Sequence, residues 1–334
     1  MNQDSSSSVV LTQQVFSDPA LRPDHRNKIL FVVLSLPVLY CLAHYLLGHL
    51  KPVHFFFSLV VLGLFFISSA SRLFFLLGIP FILKDILFDG IRYIPFEWLQ
   101  PIHVEGPYRW ELDWFGVSTQ GAPMLLNEYL LRFLNPVLDV VSALIYFLNE
   151  PVAILLIFLF WSLRSKELAE RYSVAFLVMN LFAFLTYVFY PVAAPWYVAK
   201  YGLVTPQLPV LGDAAGLMQF DRIIGVPFAE RIYTMSPVVF GAIPSMHAGF
   251  AMLGWIYSLR TNWKWATLLG VYTLLMSLSA LYLQHHYVID LLIGYAYAGL
   301  TYGLVEVFLA GGIGRLYRFL TRHLVHEGPR TLWK

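Results

Sequence analysis

Residues 266–310 read ATLLGVYTLLMSLSALYLQHHYVIDLLIGYAYAGLTYGLVEVFLA. Two apolar runs, 266–284 and 287–310, flank a polar turn holding His285 and His286, and only Asp290 and Glu306 carry a formal charge. Each run has the roughly 17–25 residues a helix needs to cross a ~30 Å hydrocarbon layer. Inside that layer every backbone polar group must be satisfied within its own segment, so the stretch predicts a helical hairpin of two membrane spans. Runs of similar length recur at 29–50, 53–71, 137–162 and 172–192, and 246–259, between Ser245 and Arg260, fits a shorter span. Residues 73–83 are apolar too, but Lys84, Asp85 and Asp89 follow at once, which predicts an interfacial or re-entrant helix. The fold class expected is all-α, a polytopic transmembrane bundle of about six to eight spans.

Composition carries the same reading across the chain. Of 334 residues, 58% are hydrophobic and 13% charged, against roughly 45–50% and ~25% in soluble domains. Mean hydropathy is +0.66, more apolar surface than a water-soluble globule can hide. A net charge of +2 without any long basic block excludes a nucleic-acid partner. One cysteine, Cys41, excludes an internal disulfide and a cysteine-built metal site.

The chain divides into a polar tail (1–28, without the apolar core of a signal peptide), N-terminal spans with a polar loop (29–136), a membrane core (137–310) and a basic tail (311–334). The loop at 93–123 mixes Glu97, His103, Glu105, Arg109, Glu111 and Asp113 with Trp98, Trp110 and Trp114, a composition suited to a headgroup surface. Lysine and arginine concentrate at 163–171 (Arg164, Lys166, Arg171), at 260–264 (Arg260, Lys264) and after 311 (Arg315, Arg318, Arg322, Arg330, Lys334). By the positive-inside rule those segments are cytoplasmic, and 193–244 lies with the 284–287 turn on the opposite face. Seven spans put the N-terminus outside; a basic N-terminal tail inside requires an eighth crossing near 73–91.

Ionisable residues in or beside spans are costly, which makes them functional candidates. Pro244-Ser245-Met246-His247-Ala248-Gly249 opens one span. There Ser245 suits an N-cap, and His247 falls in the first turn, where free N–H groups favour an anion. By itself this is equally a cap beside a solvated histidine. In Gln284-His285-His286-Tyr287-Val288-Ile289-Asp290, His286 and Asp290 stand one helical turn apart. A carboxylate that accepts Nδ1–H fixes the tautomer and leaves Nε2 basic; the bland alternative is a buried pair stapling two helices. His285 is expected to point away. Two imidazoles and a carboxylate converging on one face suit phosphoryl transfer through a phosphohistidine. Zinc is the competing use of such ligands, but no third histidine or His-Glu-x-x-His pattern supports it, and no metal or cofactor is expected.

Pro-Ser-x-His followed by His-x-x-x-Asp resembles the second and third signatures of the type 2 phosphatidic acid phosphatase superfamily. The chain is most similar to its inositol phosphorylceramide synthase branch, the aureobasidin-sensitive enzymes of fungi. Met179-Asn180-Leu181-Phe182, Pro191-Val192-Ala193-Ala194-Pro195-Trp196-Tyr197, Tyr201-Gly202-Leu203 and the run from Ser236 to Gly249 carry the resemblance, with Leu281-Tyr282-Leu283 and His285 to Leu291. It covers roughly 135–310.

The resemblance implies that His286 is the nucleophile, Asp290 its orienting partner and His247 the acid and base. The reaction implied moves phosphoinositol from a phosphatidylinositol-like donor to a ceramide or diglyceride acceptor at the non-cytoplasmic face of a bacterial inner or Golgi-type membrane. The phosphatase branch has two cations missing here: Val15 and Ala280 stand in their places. The synthase branch lacks them as well, which favours transfer over hydrolysis. Where that branch has an arginine before its Gly-Leu-x-x-x-Asp aspartate, this chain has Gln219 ahead of Phe220-Asp221. Arg222 or Arg231 is a candidate replacement, and Ser245, Trp196 and Tyr197 are candidate substrate contacts. Two alternatives stay open: a lipid phosphate or pyrophosphate phosphatase with the same triad, and a proton-relay transporter.

Overall fold

A computed structural model describes residues 23–94, 101–119, 121–207 and 209–324 of the chain. Tail residues 1–22 with Val15, the loop residues Glu97 and Trp98, and Arg330 and Lys334 lie outside the described residues. The described residues form two compact units, one within residues 23–77 and 312–324, the other within residues 78–311.

In the first unit α1 (Pro23–Leu46) and α2 (Pro52–Phe66) pair as an apolar hairpin. Tyr40 and His44 meet His54 across the pair, and the two histidine rings stack at 3.9 Å. α3 (Ser69–Gly90) follows. The stretch expected to form an interfacial or re-entrant helix lies in this continuous helix of 22 residues, which carries Lys84, Asp85 and Asp89 in its last turns.

The second unit begins within α3 and contains a small polar region before its long helices. That region folds as α4 (Glu105–Phe115), a hairpin of β1 (Val117–Thr119) and β2 (Ala122–Met124), and α5 (Leu126–Leu130). The two three-residue strands, antiparallel with Ser118 opposite Pro123, are the departure from an all-α fold. Trp110 and Trp114 on α4 are exposed, while Glu111 between them is fully buried.

The run read as one span at 137–162 is two helices, α6 (Pro136–Phe147) and α7 (Asn149–Leu163), bent by 50°. Pro151 is the cause: it has no N–H for the Phe147 carbonyl, and its ring crowds that position. α8 (Lys166–Phe189), α12 (Met246–Ser258), α13 (Trp263–Tyr282) and α14 (Val288–Leu304) complete the bundle, with short α9 (Pro195–Tyr201), α10 (Leu217–Ile224) and α11 (Phe228–Thr234) in the long connection between α8 and α12. After a π-helical turn at Val305–Leu309 the chain stays helical as α15 (Ala310–Leu324). Starts are chemically specified. Asn135, Ser165, Ser245 and Asn262 each accept N–H bonds from the first turn they precede.

Among the described residues three helices are long and apolar enough to cross a membrane, Lys166–Phe189, Trp263–Tyr282 and Val288–Thr321, and the bent α6–α7 pair meets the same length and composition only when taken as one unit. Leu155, Leu185, Leu274, Leu278 and Leu300 point outward, an apolar exterior that water disfavours and hydrocarbon accepts. At one end of the bundle Arg164 donates to the Arg260 carbonyl at 2.7 Å, and Arg171 and Arg260 share Glu306. The two basic loops therefore lie together. Since α13 is 20 residues long, about 30 Å, the 283–287 turn sits at the other end.

Candidate active site

The turn between α13 and α14 is built to hold two histidines. Gln284 takes a left-handed backbone with φ +64°, and His285 N–H and His286 N–H both turn back to the Ala280 carbonyl. Asn127 of α5 closes the turn: its amide nitrogen donates to the carbonyls of Leu281 at 2.9 Å and His286 at 2.8 Å, while Gln284 donates to the Asn127 carbonyl. Gly216 packs flat on this turn, where a Cβ would come within 2.8 Å of the Leu283 Cα.

His286 is 7% exposed. Its Nδ1 lies 3.1 Å from the Ala242 carbonyl and 3.4 Å from Asp290 Oδ2. A carbonyl oxygen only accepts, so Nδ1 carries a hydrogen, and in the neutral imidazole the lone pair falls on Nε2. Ala242 is held in place by backbone pairing: its N–H donates to the Val192 carbonyl, and Val192 N–H donates to Phe240. The Pro191-Val192-Ala193 segment thereby supports the carbonyl that selects the tautomer. Asp290 has a second duty. Its Oδ2 accepts the Tyr287 N–H at 2.8 Å, capping α14. Oδ1 is buried without a partner.

His247 sits in the first turn of α12, its ring stacked on Tyr146 at 3.7 Å and centred 5.8 Å from the His286 ring. The two histidine-bearing helices touch through glycine. A Cβ on Gly294 would fall 2.3 Å from the Ser245 carbonyl oxygen and 3.3 Å from the Gly249 nitrogen. Ser245 N–H donates to the Asp290 carbonyl, and Ser245 Oγ accepts the Ala248 N–H. Ser245 is a fully buried cap.

A cavity of 510 Å³ opens onto His247, His285 and His286. His285 does not point away as expected. It is buried, its ring stacked on Tyr233 at 4.6 Å and its Nε2 3.2 Å from the Ala214 carbonyl. Burial, and then the neighbouring His286, push its pKa down to about 3, so it is neutral at physiological pH. Trp196 lines the cavity and its N–H donates to the Gln284 carbonyl, whereas Tyr197 bonds the Val204 carbonyl and faces a separate cavity with Lys200. Arg222 and Arg231 are exposed and line neither; Arg222 donates to Gln219 on its own helix. The sequence alone could not have excluded them, because the turn of α10 and α11 that faces them outward is fixed by Asp221, which accepts the N–H groups of Ala229 and Glu230.

The PAP2 superfamily model matches residues 124–304, more than half the chain, including His247, His286 and Asp290. The chain belongs to the PAP2 superfamily. It is 32% identical to the phosphoinositol dihydroceramide synthase of Bacteroides thetaiotaomicron over 77% of this chain and 87% of that protein. Fungal inositol phosphorylceramide synthases are similar too: that of Candida albicans at 30% identity over 75% of this chain, and the Schizosaccharomyces pombe catalytic subunit at 29% over 67%. The chain spans about half the length of these two fungal relatives, 52% in each case. No solved structure matches it.

Two residues that sequence reading passed over hold this PAP2 site in shape. Glu111 on α4 accepts the N–H groups of Val288 at 2.9 Å and Ile289 at 3.1 Å, the free donors at the start of α14. Burial pushes its carboxyl above the ordinary range, against the pull of those two donors. Asn127, also fully buried, fixes the His286 carbonyl. Neither sits in a recognisable spacing. Each is separated from its partners by more than 150 residues, and the sole hint was a charged glutamate among tryptophans.

Proposed function

We propose that this PAP2 protein is an integral membrane phosphotransferase that moves phosphoinositol from a phosphatidylinositol-like lipid to a ceramide-like lipid alcohol. The observation that carries the mechanism is the His286 imidazole, with Nδ1–H on the Ala242 carbonyl, Asp290 beside it and His247 across the cavity. His286 Nε2 attacks the donor phosphorus and the bond from phosphorus to the diglyceride oxygen breaks. His247 gives that oxygen a proton, and diacylglycerol leaves. Neutral His247 then takes the proton of the acceptor hydroxyl, whose oxygen attacks phosphorus; the P–N bond breaks and His286 regains its lone pair. Asp290 stabilises the cationic imidazole during the intermediate.

Headgroup and acceptor class are supported by the names of the relatives, above all the bacterial one that this chain matches over most of its length. Transfer rather than hydrolysis is supported by charge. Among the described residues Lys84 is the one lysine or arginine on the cavity wall, and it is already paired with Asp85 and Glu150. That suits a diester with one negative charge better than a phosphate dianion. Purified protein given phosphatidylinositol is therefore expected to form a new phosphodiester lipid only when ceramide, or a diglyceride whose acyl chains differ from the donor's, is added. Rapid phosphate release from phosphatidic acid, with no acceptor-dependent lipid, would replace this reading with a phosphatase.

The finer topology belongs to the same proposal: six to eight crossings, with the site on the non-cytoplasmic face. It is supported by the positive-inside count and by the basic loops meeting at the end of the bundle away from His286. In a Cys41→Ser background, cysteines at Lys200 and Arg231 should react with an impermeant reagent from the side opposite a cysteine at Arg164. Labelling of all three from one side refutes it.

A further inference from the structure

One wall of the cavity has no part in the histidine chemistry. Lys84 and Asp85 of α3, Asn149 and Glu150 at the α6–α7 bend and Asn180 of α8 all line it, and Lys84 pairs with Asp85 and Glu150. Lys84 is 5% exposed, its ammonium bonded to Glu150 and 2.5 Å from Asp85 Oδ1. Ring contacts set the level of these residues. Phe81 stacks on Phe176 at 3.8 Å and Phe88 meets Phe184 at 5.9 Å, so these parts of α3 and α8 run parallel. Lys84 and Asn180 stand between the two contacts. Asn149 is 5% exposed and lines the cavity, yet its Oδ1 has no hydrogen-bond partner. An orphaned buried acceptor is destabilising, a cost that a ligand hydroxyl would relieve.

The group is also at the right reach. Asn149 follows Tyr146 by three residues, at most roughly 11 Å along the chain, and Tyr146 stacks on His247. A phosphate held between His247 and His286 would place its substituent in the same cavity as this group. The donors and acceptors there are mixed: an ammonium that only donates, carboxylates that only accept, amides that do both. Such an array fits adjacent hydroxyls, each donor and acceptor at once. Phe88, Phe184 and Trp196 supply flat apolar surface for the carbon skeleton between them.

We infer that the wall formed by Lys84, Asp85, Asn149, Glu150 and Asn180 binds the polyhydroxylated ring of the donor headgroup, and so selects the donor. The inference rests on the transferase reading for the position of the phosphate. A site that hydrogen-bonds substrate hydroxyls rejects analogues lacking them far more strongly than an apolar pocket rejects a missing methylene. Discrimination against an ethanolamine headgroup, which has no hydroxyl, follows.

The test is equilibrium binding to full-length His286→Ala protein, which removes turnover. Glycerophosphoinositol should bind at least about tenfold more tightly than glycerophosphoethanolamine, whose headgroup has no hydroxyl. Adding Asn149→Ala or Glu150→Gln should weaken glycerophosphoinositol about tenfold, the scale of one net hydrogen bond. Glycerophosphoethanolamine binding should stay unchanged, which also shows that the variants are folded. Equal weakening of every probe, no weakening, preferential binding of the ethanolamine compound or binding of no probe overturns the subsite. Transfer by the unsubstituted enzyme separates the two proposals. If phosphatidylinositol serves as donor but Asn149→Ala binds the inositol probe normally, only the subsite fails. If the variants behave as stated but no acceptor-dependent lipid forms, the transferase reading fails.

Discussion

His286→Ala protein incubated with donor labelled in its phosphoinositol group is expected to hold no acid-labile label and to form no product lipid. The side chain it removes is the imidazole whose tautomer the Ala242 carbonyl selects and whose Nε2 is left with a lone pair at the cavity. Loss of an activated nucleophile in a serine protease lowers turnover by a factor on the order of 10⁶, and a fall to background is expected here. The rest of the turn is carried by main-chain bonds to Ala280 and by Asn127, so the variant should keep its melting temperature within a few degrees. Label that survives in the folded variant would move the nucleophile elsewhere, with His247 the next residue to test.

Asp290→Asn should cost less, and its size is diagnostic. The Ala242 carbonyl 3.1 Å from Nδ1 remains in the variant, so the tautomer is still selected. An asparagine oxygen can also accept the Tyr287 N–H that now caps α14. What disappears is a negative charge 3.4 Å from Nδ1. At an effective dielectric near 20 a charge pair at about 4 Å is worth about 4 kcal/mol, and turnover should fall roughly 10²–10³-fold. The equivalent change in a serine-protease triad, where the tautomer is lost too, costs about 10⁴. A loss of tenfold or less, read from single-turnover rates, reduces Asp290 to a helix cap. A loss of about 10⁴ or more makes the carboxylate, not the Ala242 carbonyl, the group that sets the tautomer.

Much of this molecule is local information. Apolar length marks the spans because hydrocarbon offers no partner for backbone groups, and α8, α13 and α14 begin and end close to where residues 172–192, 266–284 and 287–310 were read. Asn135, Ser165, Ser245 and Asn262 announce helix starts by chemistry that acts within three residues. The spacing of His286 and Asp290 by one turn, and the Pro-Ser-x-His motif, were legible for the same reason. The bend at Pro151 was legible in principle: one missing donor is a property of one residue. The true length of α3 was not, because Lys84 reads as a charge that ends a span until Glu150 is seen beside it.

Sequence by itself therefore determined the helical membrane class, the motif residues and the family to which they point. Tertiary structure alone decided which groups share a cavity. It brought Glu111 to the first N–H groups of α14 and Asn127 to the His286 turn. It turned His285 inward and Arg222 and Arg231 outward, and joined Lys84 to Glu150 across 66 positions. The physical reason is range. Hydropathy, capping and one-turn pairs act between neighbours along the chain, whereas a buried charge or carbonyl is satisfied by whichever group the packing of distant helices delivers, as Gly294 delivers the Ser245 end of α12 to α14.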